Sequence, residues 1–182
     1  MLPLYIYPLI VLGVVLWFYP FVGAHKKTAP AATVNRHSRW GVLLQLAAFS
    51  LLWQGHFWMR QLSVWRLSLC VILFSLACLL SWTSSRALAG QLRIDAALGN
   101  EHRLVRSGPY AFVRNPIYTS MLLVLCAIAL VITGWHLFLP ALAVFVIGTE
   151  IRVRTEEKLL ASRFGEEFQA YKNTVPAYLP YF

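Results

Sequence analysis

NPIYTSMLLVLCAIALVITGWHLFLPALAVFVIGT, from Asn115 to Thr149, contains no Asp, Glu, Lys or Arg. At about 1.5 Å per residue it is longer than one helix needs to cross about 30 Å of hydrocarbon, and Thr133-Gly134 interrupts it near the middle. It reads as two membrane helices in a tight hairpin, over about residues 116–133 and 135–151. Three earlier charge-free stretches, Leu2 to Ala24, Trp40 to Met59 and Leu67 to Ser85, predict helices over about 3–23, 40–59 and 67–84. The 182 residues are 59% hydrophobic and 13% charged, with a mean hydropathy of +0.62, whereas a soluble domain is about 25% charged. The expected fold is therefore an all-α integral membrane protein with five transmembrane helices, a hairpin of helices 4 and 5, and a cytoplasmic C-terminal helix. Tryptophans at segment ends, Trp17, Trp40, Trp58, Trp65, Trp82 and Trp135, suit interface anchors.

Five crossings put the loop from His25 to Arg39, the segment from Arg86 to Arg114 and the tail after Glu150 on one side. That side holds fourteen of the sixteen basic residues, leaving Arg60 and Arg66 opposite. The positive-inside bias then places it in the cytoplasm and the N-terminus outside; the short five-helix build suits a bacterial cytoplasmic membrane. A net charge of +9 raises the question of nucleic acid, but these residues flank membrane helices, where anionic lipid head groups neutralise them, so no nucleic-acid partner is expected. The first segment lacks a basic n-region and a small-residue cleavage site before His25, and reads as a mature helix. Cys70, Cys78 and Cys126 fall inside predicted helices without metal-ligand spacing and read as apolar packers, with no metal expected.

All seven acidic residues lie after position 94, so residues 1–84 read as a three-helix membrane scaffold and 85–182 as the catalytic half. In the second part, Leu88, Leu92 and Leu98 stand at near-helical spacing and predict a stretch lying in the interface. The turn Gly99-Asn100 and the breaker Ser107-Gly108-Pro109-Tyr110 follow. Glu150 to Lys172 continues helix five into water, with Glu150 four residues before Arg154, Arg152 four before Glu156, and an apolar stripe of Leu160, Phe164, Phe168 and Tyr171. Pro176 and Pro180 end it.

Taken singly, the polar residues here are ambiguous. Asn115-Pro116 is an ordinary helix start, Arg114 an interface snorkeller, Tyr118 a belt aromatic and Glu156-Glu157 a solvated helix face. Their position joins them, because both clusters fall at the same ends of two helices that a tight hairpin makes neighbours. A cationic, aromatic and acidic pocket is expected at the membrane surface.

Gly108-Pro109-Tyr110, Arg114-Asn115-Pro116-Ile117-Tyr118, Arg154-Thr155-Glu156-Glu157 and Phe164-Gly165-Glu166-Glu167-Phe168, preceded by His102-Arg103-Leu104-Val105, together resemble the isoprenylcysteine carboxyl methyltransferase family and its phospholipid N-methyltransferase relatives. Asn115 stands where that family usually has His, which removes any acid-base role from the position, and Thr119-Ser120 stands where Gly commonly follows the Tyr by one residue. The resemblance implies S-adenosylmethionine as cofactor, contacted by His102, Leu104, Val105, Gly108, Tyr110, Arg114, Asn115, Tyr118 and Glu156. None of the ten glycines forms a G-x-G, in keeping with a membrane-face pocket in place of a soluble nucleotide loop. The start of helix four, reinforced by Asn115, suits the cofactor carboxylate, and Glu156 or Glu157 its ammonium or ribose hydroxyls.

Methyl transfer from a sulfonium demands alignment and exclusion of water. A carboxylate acceptor is already ionised and needs only a cation, Arg152 or Arg154, whereas an amine acceptor needs a base such as Glu157. The Arg-rich helix favours the carboxylate of a lipid-like molecule, prenylated cysteine being the nearest implied candidate. Phospholipid amine N-methylation is the alternative within the family. Outside it stand a nicotinamide-dependent membrane reductase, which has a similar Pro-x-Tyr element, and a non-enzymatic scaffold or transporter. Only Gln45, Gln54 and His56 offer polar groups in the membrane interior, and interhelical hydrogen bonding is their commoner use.

Overall fold

The computed structural model describes residues 3–25, 33–35, 38–55, 62–88, 96–98 and 104–178. His56, Arg60, His102 and Pro180 lie outside the described residues, as do residues 89–95 of the expected interfacial stretch; the second helix, expected to run to 59, ends at Leu51, with 52–55 in a turn. Among the described residues five α-helices carry the fold: α1 Ile6–His25, α2 Ser38–Leu51, α3 Val64–Leu88, α4 Pro116–Ile132 and α5 Trp135–Thr174. A short antiparallel ladder adds to them, with Thr33–Asn35 as β1 and Ala96–Leu98 as β2, Thr33 opposite Leu98 and Asn35 opposite Ala96. Leu98 therefore belongs to a strand and not to an interfacial helix, its backbone satisfied by a second strand.

α4 is the innermost helix, buried at positions from Pro116 to Ile132 on most of its circumference. The other helices turn large apolar side chains outward: Val11 on α1, Leu46 on α2, Leu79 on α3 and Ile147 on α5 are all more than half exposed. Apolar surface of that extent is stable against lipid and not against water. Val64–Leu88 and Trp135–Thr174 are long and apolar enough to cross a membrane, and Ile6–Val22 and Pro116–Ile132 are shorter apolar helices.

The turn at Thr133-Gly134 forms as expected, with Thr133 Oγ1 donating to the Leu52 carbonyl at 2.9 Å. The close pairing of α4 with α5 does not form. α4 lies along α3 instead, and α5 along α2. Two glycines explain the second pairing, since a Cβ on Gly41 would stand 2.6 Å from the Gly148 carbonyl oxygen and one on Gly148 2.8 Å from the Gly41 oxygen. Backbones approach that closely only without side chains. One turn further on, buried Gln45 Nε2 donates to Thr149 Oγ1 at 2.9 Å, the interhelical use expected of such a residue. Gln54 reaches only the Ser50 carbonyl of its own chain segment, at 3.3 Å. On the far side, Ser81 Oγ donates to the Trp17 carbonyl at 2.8 Å, and Trp17 Nε1 to Ser120 Oγ at 3.0 Å, tying α1 to α3 and α4.

α5 is not one straight rod. Gly165 has φ +50, inside the left-handed region, and a Cβ there would touch nothing within 4 Å, so the backbone conformation and not crowding calls for glycine. The reversal is measurable: Lys172 Nζ lies 2.7 Å from Glu157 Oε2, fifteen residues earlier, whereas a straight helix of that length spans about 22 Å. The expected single helix running into water is therefore two arms folded together. Phe168 and Tyr171 of the predicted apolar stripe are buried by this return, while Leu160 and Phe164 are half-buried.

Candidate functional site

Gly108, with φ +62, opens a single 3-10 turn, Gly108–Ala111, with Pro109 at its start. The turn sends Tyr110 inward, where its carbonyl accepts the Tyr171 hydroxyl at 2.6 Å. Arg106 clamps the same junction: Nη2 lies 2.9 Å from both the carbonyl and Oε1 of Glu167, and its guanidinium sits 5.7 Å from the Tyr171 ring centre. Burial holds the Tyr110 hydroxyl far above its ordinary range and pushes Tyr171 up to about 12. The half-buried Leu104 and Val105 thus belong to a segment fastened onto the returning arm of α5.

At the start of α4 the structure corrects an expectation. Asn115 occupies the N-cap position, yet its side chain makes no capping bond. Nδ2 and the Asn115 backbone nitrogen both donate to the Ala177 carbonyl at 3.1 Å. The Arg114 backbone nitrogen donates to Pro176 at 2.8 Å, and Thr119 Oγ1 to Tyr178 at 3.0 Å. Residues 175–178 form a strap over the helix start, and their carbonyls take the Asn115 side-chain amide, the Arg114 and Asn115 backbone N–H groups and the Thr119 hydroxyl.

α5 then presents charge in two directions. Arg152 Nε donates to the Tyr118 hydroxyl at 2.6 Å, Tyr118 donates to Glu156 Oε1 at 2.5 Å, and Arg152 Nη2 stands 3.5 Å from the same carboxylate oxygen. Arg152 is buried, with its guanidinium 5.4 Å from the Tyr118 ring centre. Its stem lies against Gly41, whose missing Cβ would be 2.5 Å from Arg152 Cγ. Glu156 stands beyond the charge-free stretch; burial pushes its carboxyl above the ordinary range, and Arg152 and the Tyr118 hydroxyl draw it back.

The second direction faces a cavity of about 390 Å³, within the size range of small-molecule sites. Glu150, Val153, Arg154 and Glu157 line it, one stripe of α5 at steps of three and four residues, and Arg114, Lys172 and Ala177 close it. Glu157 is engaged at both oxygens: Oε1 accepts from Arg114 Nη2 at 2.9 Å and Nε at 3.2 Å, and Oε2 from Lys172 at 2.7 Å. Arg114 Nη1 also donates to the carbonyls of Lys172, at 2.9 Å, and Val175. Glu150 accepts from Arg154 at 2.9 Å and from the Tyr178 hydroxyl at 2.7 Å.

The single pocket expected from the sequence is thus divided. Arg114, Arg154 and Glu157 line the cavity; Tyr118, Arg152 and Glu156 form a separate cluster inside the bundle. Leu104, Val105, Gly108 and Tyr110 sit on the neighbouring segment, Asn115 is under the strap, and His102 is outside the described residues. Lys172, Ala177, Tyr178 and Gly41 were not singled out. Gly165 was the available signal, a glycine inside a helical pattern that marks a reversal; the others depend on what that reversal brings together.

The fold and site define a helical protein with a polar pocket at the end of apolar helices. A sequence model described as phospholipid methyltransferase matches residues 65–167, more than half of the chain, and the chain belongs to that family. The match takes in α3, α4 and α5 past Gly165, and leaves α1 and α2 outside. The chain is also similar to the cobalt-zinc-cadmium resistance protein CzcN of Cupriavidus metallidurans, 29% identical over an alignment 142 positions long that covers 66% of this chain and 64% of that protein. The chain therefore spans less than two thirds of that relative's length.

Proposed function

We propose that this chain is an S-adenosylmethionine-dependent membrane methyltransferase acting on a lipid-like acceptor. The observation that carries the reading is the cavity of mixed charge on α5, immediately past the charge-free stretch, within the residues that match the family. When bound, the cofactor supplies a methyl group on a positively charged sulfur. The donor set suits it: Glu150 matches an ammonium or ribose hydroxyls, and Lys172, its side chain 42% exposed, keeps N–H donors for a carboxylate beyond the one given to Glu157. Glu157 holds Arg114 and Lys172 in place, accepting from both.

Arg154 is the cation for the acceptor. Its side chain is 77% exposed and, among the described residues, pairs with Glu150, and such a surface pair, worth about 0.2–1 kcal/mol, exchanges readily for a ligand carboxylate. Arg152, buried against Tyr118 and Glu156, is not placed to do so. Three cations against two carboxylates around the cavity support a carboxylate acceptor such as a prenylated cysteine. Phospholipid amine methylation is supported by the family itself, with Glu150 then taking the proton. Calorimetry of the purified protein with S-adenosylmethionine and its demethylated product tests the cofactor. Methylation of N-acetyl-S-farnesylcysteine, its carboxamide and phosphatidylethanolamine separates the acceptors: turnover of the first alone supports the carboxylate, of the last alone the amine, and of none overturns the reading.

The basic-residue bias supports a cytoplasmic location for the cavity, with the N-terminus outside a bacterial cytoplasmic membrane. A cysteine at exposed Asn173 is then shielded from an impermeant thiol reagent in intact cells, and labelling there overturns the orientation.

A further inference from the structure

The cavity has a direction. On the lining stripe of α5, Glu150 is nearest the charge-free stretch and Glu157 farthest from it, so the Glu150 end faces the apolar part of the bundle. A molecule with its polar end in the cavity and its tail among the apolar helices passes Glu150. That end is bridged. Tyr178 reaches across it from the strap, its carbonyl held by Thr119 Oγ1 of α4 at 3.0 Å and its hydroxyl donating to Glu150 Oε1 of α5 at 2.7 Å. The tyrosine thus ties α4 to α5 by way of the strap, beside the direct contact of Tyr118 with Arg152 and Glu156.

We propose that Tyr178 is a specificity-determining gate: its bond to Glu150 closes the membrane-side mouth of the cavity, and acceptors with long apolar tails must displace it while tail-less acceptors need not. The proposal rests on the methyltransferase reading and adds a residue in which the reaction chemistry has no part. Three features support the assignment. The bond joins the strap to the cavity carboxylate at the membrane end; among the described residues Tyr178 itself is tied to α4 only through its carbonyl, which leaves the ring free to turn; and the strap is otherwise anchored at Arg114 and Asn115, so the ring moves without unfolding the segment.

The test uses the full chain in lipid nanodiscs, comparing wild type with Tyr178→Phe, which deletes the hydroxyl and keeps the ring, and with Tyr178→Ala, which removes the bridge. The acceptor pairs share a head group and differ in tail: N-acetyl-S-farnesylcysteine against N-acetyl-S-methylcysteine, and dioleoyl against dihexanoyl phosphatidylethanolamine. The expected result is that the long-to-short ratio of kcat/KM rises about tenfold in Tyr178→Phe, the shift that loss of a hydrogen bond to a charged group commands, and at least as far in Tyr178→Ala, with calorimetric affinity for S-adenosylmethionine unchanged. A ratio unchanged in both variants, beside active wild type, overturns the gate and leaves the methyltransferase reading standing. Equal loss on long and short acceptors also overturns it, since that marks the strap as merely structural. Wild type inactive on all four acceptors overturns the reading and the gate together.

Discussion

Within two turns, α5 carries two i,i+4 ion pairs with opposite fates. Arg152 and Glu156 close on Tyr118, with side chains 9% and 31% exposed, while Arg154 and Glu150 stand at the cavity rim, 77% and 36% exposed, so the contrast lies in the arginines. The residue types, the helix and the spacing are the same. What differs is the neighbour: Gly41 of α2 leaves room for the Arg152 stem and Tyr118 of α4 meets its head, whereas the other face looks into space framed by the strap. A buried pair is costly to break and therefore holds position, and an exposed pair is cheap to exchange and therefore suits a ligand.

The strongest way to break this comparison is Arg152→Ala, which strands the Glu156 carboxylate beside Tyr118. A loss of about 1–3 kcal/mol is expected, because Glu156 is 31% exposed and keeps the Tyr118 hydroxyl, seen as a fall in Tm in detergent, with cofactor binding lost alongside; Tyr118→Ala and Glu156→Ala act in the same direction. If Arg152→Ala melts like wild type, the inner cluster is not structural. Next is Gly41→Ala, whose new methyl group meets Arg152 Cγ and the Gly148 carbonyl at 2.5 and 2.6 Å. Overpacking of this kind costs about 1–3 kcal/mol, and thermal unfolding reads it directly, so an unchanged Tm shows that α2 does not support the inner pair.

Arg154→Ala sharpens the contrast from the other side. Its loss raises the KM of the acceptor carboxylate about tenfold or more, a charged hydrogen bond being worth about 1.5–3 kcal/mol, while Tm and calorimetric cofactor affinity stay at wild-type values. A fall in Tm instead marks the rim pair as structural. The smallest effects come from two glutamines. Gln45→Ala removes a buried interhelical bond and costs about 1 kcal/mol, whereas Gln54→Ala, which loses only a contact with Ser50, stays within about 0.5 kcal/mol. Denaturation midpoints of the two, compared in one detergent, check the order.

By itself the sequence determined where the apolar helices lie. α4 begins at Pro116 and its connection to α5 falls at Thr133-Gly134, as read, because apolar runs and Pro or Gly breakers act over a few neighbouring residues. The order of the Arg114 to Tyr118 and Arg154 to Glu157 elements likewise placed the candidate site at the α4 and α5 ends and pointed to the family. Only the tertiary structure decided what each of those residues touches. Arg152 and Arg154, two apart and chemically alike, could not be told apart until α2 packed on α5 through Gly41 and Gly148. Glu157 could not be seen as paired, nor Asn115 as covered, until the reversal at Gly165 brought Lys172 and the strap back to α4, partners 58 and 62 residues from Arg114 and Asn115. The physical reason is that helix formation is governed by local pattern, while pairing of a charge depends on which distant backbone or side chain arrives beside it, and one glycine conformation set that arrival.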